Sequence, residues 1–155
     1  MATKVKPIPE GYPTLSASLV VRDAARAIQY YQAAFGAKER MRLEGPPGKI
    51  AHAELAIGDG VIMLSDEADN DPGPLKLGTS PVRLHLYVED VDAVAERAVA
   101  AGGKMVIPVS DQFYGDRSGR LQDPFGHLWM ISTHKEDVAP AEMQKRMASF
   151  TAKQG

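Results

Sequence analysis

Residues 84–91, Leu-His-Leu-Tyr-Val-Glu-Asp-Val, decide the fold of this chain because they are the second copy of a pattern that occurs 67 residues earlier. Each copy is a short β-rich run that leads to an aspartate, followed by apolar residues at helical spacing. The repeat continues beyond the helix. Its matching pairs are Val21 and Val88, Asp23 and Asp90, Gly36 and Gly103, Met63 and Met130, and Ser65 and Ser132.

The first half of the chain predicts a βαβββ module. A strand over Leu15–Val21 leads into a helix that begins after Asp23 and ends at Gly36, because aspartate favours the N-cap and glycine the position after a helix. Glycine- and proline-containing turns then separate three further strand-like runs. These runs are Lys38–Glu44, Ile50–Ile57 and Val61–Ser65.

The second half predicts the same order of elements. A strand over Leu84–Val88 leads into a helix that begins after Asp90 and ends at Gly102-Gly103. The strands that follow are Met105–Val109, Arg117–Gln122 and Leu128–Thr133, the last two joined by the turn Asp123-Pro124-Phe125-Gly126.

These patterns predict a single domain over residues 1–155, of the α+β class. It consists of a first module at 12–66, a linker at 67–81, a second module at 82–134 and an added C-terminal helix at 137–151. The linker is rich in Asp, Pro and Gly, which is typical of a connecting loop. We expect the tandem βαβββ modules to form a curved mixed sheet around a cavity.

The C-terminal helix carries Met143, Met147 and Phe150 on one stripe, with Pro140 near its first turn. Such a stripe most often docks on an apolar surface, because thioethers fill irregular gaps well. It is expected to pack on the chain itself or on a second subunit, with ligand binding as the less favoured alternative. Because an open half-curled sheet leaves edges that need pairing, we also expect a homodimer to which this helix contributes.

Composition excludes several classes of function. The net charge of −2, the pI near 6.1 and the lack of a Lys/Arg cluster argue against a nucleic-acid partner. With no cysteine, the chain has no disulfide, no thiolate nucleophile and no cysteine-ligated zinc, which fits a reducing compartment. No apolar run is long enough for a membrane span, and we expect a cytoplasmic protein without membrane contact.

The tandem βαβββ modules resemble the vicinal oxygen chelate superfamily, which includes glyoxalase I, extradiol dioxygenases and bleomycin-resistance proteins. The motifs that carry the resemblance are Leu84–Val91 and Asp123-Pro124-Phe125-Gly126-His127, and the similarity covers residues 12–134. The segments Ala51–Leu55, Phe113–Arg117 and His134–Asp137 are most similar to the PhnB-like branch.

The resemblance implies a metal held by four side chains, two from the first strand of each module and two from the last. The family pattern places these positions at Ser16, Met63, Arg83 and Met130, and the repeat relates them in pairs. Divalent ions need carboxylate, imidazole or thiolate ligands. A hydroxyl, two thioethers and a guanidinium that stays protonated do not supply them, so we predict no metal at these positions.

Strand alternation predicts which other side chains face the same cavity. They are Ser18, Val20, Val61, Ser65, His85, Tyr87, Leu128 and Ser132. This mixture of apolar and polar groups suits a small organic ligand. Arg83, expected to be buried, either binds an anionic head such as a carboxylate or phosphonate, or pairs with Glu54.

Two further groups are candidates for the site. His52 and Glu54 share one face of their strand and could form a displaced metal site or an acid–base pair with His85, although such a face is commonly just solvated. Tyr114 and Arg117 lie in a segment typical of a bulged strand or a ligand-facing loop, with an Asp116–Arg117 surface pair as the alternative.

The two remaining histidines are assigned to roles outside the site. His127 is predicted to face the helix and to form structural hydrogen bonds at the turn. His134, at the exit of the domain, is predicted to lie on the helix side or in solvent.

Three functions remain open. The first is a binding protein of the bleomycin-resistance type that takes a small, anionic organic ligand without metal or other cofactor. The second is a metal-dependent lyase, isomerase or dioxygenase with His52, Glu54 and His85 as relocated ligands. The third is a metal-free enzyme with His85 or Glu54 as general base and Arg83 stabilising an oxyanion. No catalytic residue is assigned, and the predicted ligand contacts are Ser16, Ser18, His52, Glu54, Met63, Arg83, His85, Tyr87, Tyr114, Arg117 and Met130.

Overall fold

The computed structural model describes residues 4–155, which form two compact units. The first unit ends at Leu77 and the second begins at Gly78, inside the stretch predicted as a linker. Each unit contains one βαβββ set, so the repeat in the sequence is also a repeat of structure. Every helix within residues 4–155 is too short or too polar to cross a lipid bilayer.

The first unit is a four-stranded mixed sheet with a helix on one face. Its elements are β1 (Ala17–Val21), α1 (Ala24–Phe35), β2 (Lys38–Glu44), β3 (Ile50–Ile57), β4 (Gly60–Asp66) and the short α2 (Pro74–Leu77). The strand order is β1-β4-β3-β2, with β1 parallel to β4 and the other neighbours antiparallel. The direction of the strands follows from their connections. The turns between β2, β3 and β4 reverse the chain twice, so β4 runs in the same direction as β2, and the crossover through α1 lets β1 run in that direction as well.

Helix α1 is defined by its capped ends and its apolar side. The Asp23 carboxylate accepts a hydrogen bond from the backbone N–H of Arg26 at 3.2 Å, and Gly36 follows the helix with a φ of 67°. Both predicted cap residues are therefore confirmed. The side chains of Ile28 and Tyr31 are almost fully buried on the sheet side of the helix, which anchors α1 against β3 and β4.

The second unit repeats this arrangement and adds a C-terminal helix. Its elements are β5 (Arg83–Tyr87), α3 (Val91–Ala100), β6 (Lys104–Asp111), β7 (Asp116–Gln122), β8 (Leu128–His134) and α4 (Pro140–Gln154). The strand order is β5-β8-β7-β6, again with one parallel pair, β5 and β8. Asp90 caps α3 by accepting from the N–H of Ala93 at 3.1 Å, as predicted.

The turn between β7 and β8 is organised by the buried carboxylate of Asp123, whose side chain is 4% exposed. One oxygen accepts from the backbone N–H groups of Phe125 at 2.9 Å and His127 at 3.0 Å. The other accepts from the indole N–H of Trp129 at 2.9 Å. The turn was predicted, and His127 was predicted to form structural hydrogen bonds there. In the structure the backbone N–H of His127 donates, and the acceptor is Asp123, the first residue of the turn.

Helix α4 packs on its own unit. The ring of Phe150 lies 5.3 Å from that of Phe113, and Met143 and Met147 line a groove with Phe113 and Tyr114. No residue of α4 is fully buried, so the methionine stripe remains partly accessible. Of the two docking alternatives, the structure shows contact with the chain itself.

The α+β class, the tandem βαβββ order and the C-terminal helix are confirmed, with three differences. The strands form two separate four-stranded sheets, one in each unit, where one curved sheet was expected. Helix α2 lies inside the predicted linker 67–81, beginning at a proline, which suits the first turn of a helix. Helix α4 covers 140–154 where 137–151 was expected, because Pro140 occupies its first turn.

Candidate binding site

Each sheet has a front face, which we define as the face turned away from its long connecting helix, α1 or α3. In the first sheet, the strand register brings Ser18 opposite Met63, and Met63 opposite Glu54, on this face. Ser16 precedes β1. The β1 residue directly beside Met63 is therefore Ser18, whereas the family pattern gives Ser16, two residues earlier.

The second sheet has the same register. His85 lies opposite Met130, and Met130 lies opposite Arg120. Arg83 is the first residue of β5, pairs with Leu128, and is exposed. The expectation of a buried cation is therefore wrong, because β5 is an edge strand whose front face is open to solvent at this residue.

The side chains at the four family positions do not fit a divalent metal. Ser16 offers a weak hydroxyl donor, Met63 and Met130 offer soft thioethers, and Arg83 offers a permanent positive charge. Within residues 4–155, no group of three or more His, Asp or Glu side chains is arranged to hold a metal ion. The donor set at the family positions thus disagrees with the metal that the fold family implies.

A buried carboxylate organises the front face of the first sheet. Glu54 is 5% exposed and accepts hydrogen bonds from the Tyr12 hydroxyl and from His52 Nε2, the latter at 3.0 Å. These donors hold the pKa of Glu54 below its usual range, and the bond to Glu54 raises the pKa of the Tyr12 phenol. The carboxylate therefore stays ionised, and His52 and Glu54 are brought together as an acid–base pair requires.

Tyr12 was not among the predicted site residues. Its ring lies beneath the Arg40 guanidinium, 4.3 Å from ring centroid to Cζ, and Arg40 also donates to the Gly11 carbonyl at 3.0 Å. Tyr12 precedes the first strand and is 42 residues from Glu54 in sequence. No periodicity connects the two, so only the tertiary structure reveals the contact.

Two stacked aromatic side chains mark the front face of the second sheet. The rings of His85 and Tyr87 lie 4.6 Å apart with an interplanar angle of 21°. His85 Nε2 is 2.9 Å from the hydroxyl of fully buried Ser132, and the Tyr87 hydroxyl donates to Asp116 at 2.8 Å. The bond to Asp116, assisted by partial burial, raises the pKa of the Tyr87 phenol, which therefore stays protonated.

Asp116 also contacts His134, which was predicted to lie on the helix side or in solvent. His134 Nδ1 is 2.8 Å from Asp116, and His134 Nε2 is 2.7 Å from Asp137. The register pairs His134 with Asp116 on the front face, and the imidazole is 51% exposed, so the structure agrees with the solvent alternative and not with the helix-side one. Strand alternation from Met130 and Ser132 contained the signal, because His134 continues the same face.

The pH dependence of stability tests this contact. Hydrogen bonds to Asp116 first, and then to Asp137, raise the pKa of His134 above its ordinary value. The folded state therefore binds more protons than the unfolded state above pH of about 6.5. The stabilisation is fully present below that pH, and it is lost as the pH rises through the raised pKa of His134.

We expect His134→Asn to flatten this decline in the free energy of unfolding, measured by denaturant titration between mildly acidic and mildly alkaline pH. An NMR titration of the His134 imidazole protons supplies the folded-state pKa directly. An unchanged pH slope in the variant would show that the contact does not affect stability.

The segment predicted as a ligand-facing loop is divided between the two faces. The Tyr114 hydroxyl is 3.5 Å from that of Ser118, on the front face. Arg117 lies on the helix side, where its guanidinium forms ion pairs with Asp92 at 2.8 Å and Asp111 at 3.2 Å, which raise its pKa. Asp116 instead bonds Tyr87 and His134, so the structure does not show the alternative Asp116–Arg117 pair.

Taken together, the duplicated βαβββ architecture and the polar front faces define an α+β protein of the glyoxalase type. The family model for the Glyoxalase/Bleomycin resistance protein/Dioxygenase superfamily matches residues 14–131. The chain belongs to this superfamily, which confirms the resemblance to the vicinal oxygen chelate proteins.

The chain is also similar to individual known proteins and solved structures. An uncharacterized protein of Mycobacterium bovis is 44% identical over 142 residues, which is 88% of this chain and 93% of that protein. The crystal structure of TioX from Micromonospora sp. ML1 is 27% identical, covers 79% of this chain and 98% of its own, and has a TM-score of 0.62. A PhnB protein from Bacillus cereus, 17% identical, shares the fold with a TM-score of 0.64 over 78% of this chain and 99% of its own.

Proposed function

We propose that this protein binds a small, anionic organic ligand without the divalent metal that is usual in its superfamily, and that Arg83 is at the centre of the binding site. The observation that carries the proposal is the side-chain chemistry at Ser16, Met63, Arg83 and Met130. None of these side chains is a good ligand for a divalent ion, and one of them repels it.

The environment of Arg83 supports binding of an anion. Arg83 is exposed, whereas carboxylates already engage the guanidinium groups of four other arginines, Arg22, Arg42, Arg117 and Arg146. A planar guanidinium can bind a carboxylate or phosphonate through two parallel hydrogen bonds. His85 and Tyr87 follow Arg83 on the same face of β5, so one strand supplies charge, hydrogen bonding and aromatic surface.

Tyr114 and Met130, which belong to the same unit as Arg83, are retained as proposed contacts. The contacts predicted at Ser16, Ser18, His52, Glu54 and Met63 of the first unit stay predictions. Arg117 is excluded from the proposed contacts because Asp92 and Asp111 already neutralise its charge on the helix side.

Metal analysis tests the proposal. We expect protein purified without added metal or chelator to contain no stoichiometric zinc, nickel, manganese or iron by inductively coupled plasma mass spectrometry. Methylphosphonate, a probe for the anionic head, is expected to shift amide resonances around Arg83 in the same way with and without EDTA. One equivalent of metal, lost in a variant of a front-face residue, would contradict the proposal.

A metal-dependent lyase, isomerase or dioxygenase is the second candidate. The observation in its favour is that His52 and Glu54, two of its three proposed ligands, are 3.0 Å apart. This candidate requires bound metal to disappear in both His52→Ala and Glu54→Ala while Ser65→Ala retains it. The same metal analysis therefore decides between the two functions.

A further inference from the structure

We infer that the ligand is a planar aromatic carboxylate that stacks on the His85 ring and places its charge against Arg83. This inference rests on the proposed function and names the chemical class of ligand for the same site. Its basis is the combination of a fixed pair of stacked rings with an exposed cation on the same strand.

The cation and the two rings, at positions 83, 85 and 87, distinguish the second module from the first. Positions 83, 85 and 87 carry Arg, His and Tyr, whereas the equivalent positions 67 residues earlier carry Ser16, Ser18 and Val20. Both sets lie on the front face along a parallel edge strand, with Ser16 just before its strand. The shared fold therefore does not require a cation and two aromatic rings there, because the first module forms the same sheet without them.

Hydrogen bonds to side chains on β7 and β8 hold the two rings in place. Ser132, which is fully buried, lies within hydrogen-bond distance of His85, and Asp116, which is 5% exposed, accepts from Tyr87. His134 contacts the second oxygen of Asp116 and fixes its orientation. Because both rings are already ordered, a ligand that stacks on them pays little additional side-chain entropy.

The exposed His85 side chain has one imidazole face stacked on Tyr87. Because alternate residues follow one another along β5, we expect the opposite face to lie towards Arg83 and to be open to a ligand. Strand geometry separates Arg83 from His85 by about 6.6 Å along the backbone. A flat ring can lie on His85 within that distance, and the flexible Arg83 side chain can reach its substituent or stack on its outer face.

The chemistry of these groups selects the ligand class. Offset stacking on His85 and Tyr87 favours a planar π-system over an aliphatic ring of similar size. Tyr87, although 58% exposed, keeps its hydroxyl on Asp116, so it presents mainly ring surface. The positive charge of Arg83 favours a carboxylate over a neutral substituent.

The test compares three probes by NMR titration of the full chain: 2-naphthoate, cyclohexanecarboxylate and neutral 2-naphthalenemethanol. We expect 2-naphthoate to bind about tenfold more tightly than either of the others, as a stacking or charge contribution of this size implies. The His85 imidazole protons of the unmodified protein should show ring-current shifts with 2-naphthoate, a readout that needs no variant.

Three variants convert the strand to the residues of the first module: Arg83→Ser, His85→Ser and Tyr87→Val. We expect Arg83→Ser and His85→Ser each to weaken 2-naphthoate binding about tenfold, and Tyr87→Val to weaken it less. Arg97→Ser, an exposed arginine on α3, is the charge-matched control and should leave binding unchanged. Fluorescence of the single tryptophan confirms that each variant is folded.

The outcomes separate this inference from the proposed function. If cyclohexanecarboxylate binds as tightly as 2-naphthoate and Arg83→Ser weakens both, the aromatic preference is overturned and the anion site survives. If His85→Ser leaves 2-naphthoate binding unchanged, stacking is likewise overturned. If Arg83→Ser affects no probe, both the inference and the Arg83-centred function are overturned.

Discussion

Asp123→Ala is expected to lower the free energy of unfolding by about 3 kcal/mol, because one buried carboxylate satisfies three donors. The backbone N–H groups of Phe125 and His127 and the indole N–H of Trp129 all depend on it. Alanine leaves these donors in a buried turn without their acceptor. Denaturant titration followed by the fluorescence of Trp129, the single tryptophan, measures the loss.

Two further variants make this prediction specific. Asp123→Asn keeps the oxygen that accepts both backbone N–H groups but cannot accept from the indole, so we expect an intermediate loss. Asp59→Ala alters an exposed aspartate in the corresponding β3–β4 turn of the first unit and should change stability by less than about 0.5 kcal/mol. Equal effects of Asp123→Ala and Asp59→Ala would refute a central role for the buried carboxylate.

Gly115→Ala is expected to cost about 3 kcal/mol for a steric reason. Gly115 has a φ of 102°, and a Cβ at this position would come within 2.2 Å of the Glu136 carbonyl oxygen. The carbonyl of Gly115 accepts from the N–H groups of Lys135 and Glu136, so the two backbones cannot separate without losing these bonds. The variant should therefore detach the segment that leads into α4.

Gly48→Ala is the matched control for Gly115→Ala. Gly48 also has a positive φ, 79°, but a Cβ there would meet no atom within 4 Å. Gly48→Ala therefore measures the loss in the free energy of unfolding that comes from the backbone conformation alone, about 1 kcal/mol. We expect faster amide hydrogen exchange at Lys135 and Glu136 in Gly115→Ala only, and equal stability losses in the two variants would show that the close approach is unimportant.

Local patterns were sufficient for most of the secondary structure. The spacing of apolar residues between Asp23 and Gly36 predicts α1 with both caps, and the structure gives α1 as Ala24–Phe35. Strands β2 and β3 have the predicted bounds. These features depend on residues close together in the chain, where hydrogen-bonding periodicity and turn chemistry act directly.

Predictions failed where a residue's environment depends on distant parts of the chain. The burial expected for Arg83 depended on what covers the front of β5, and the structure leaves this residue exposed. The imidazole of His134 is half exposed, as the solvent alternative expected, but its contact with Asp116, the cross-strand neighbour, was not predicted. Arg117 looked like a ligand contact from its neighbours in sequence, but Asp92, on α3, and Asp111 engage it on the opposite face.

The sequence by itself determined that this protein has two βαβββ modules, because residue identity and a constant spacing of 67 residues are properties of the chain alone. The resemblance to the superfamily predicts metal positions at Ser16, Met63, Arg83 and Met130, and these residue types are not a suitable ligand set. Only the tertiary structure decided that Tyr12 bonds Glu54, that His85 stacks on Tyr87, and that Asp116 and Ser132 are hydrogen-bond partners of these two rings. Apart from the local stack on β5, these contacts join residues 29 to 47 positions apart. They depend on strand register, which brings distant residues side by side through backbone pairing that no local pattern specifies.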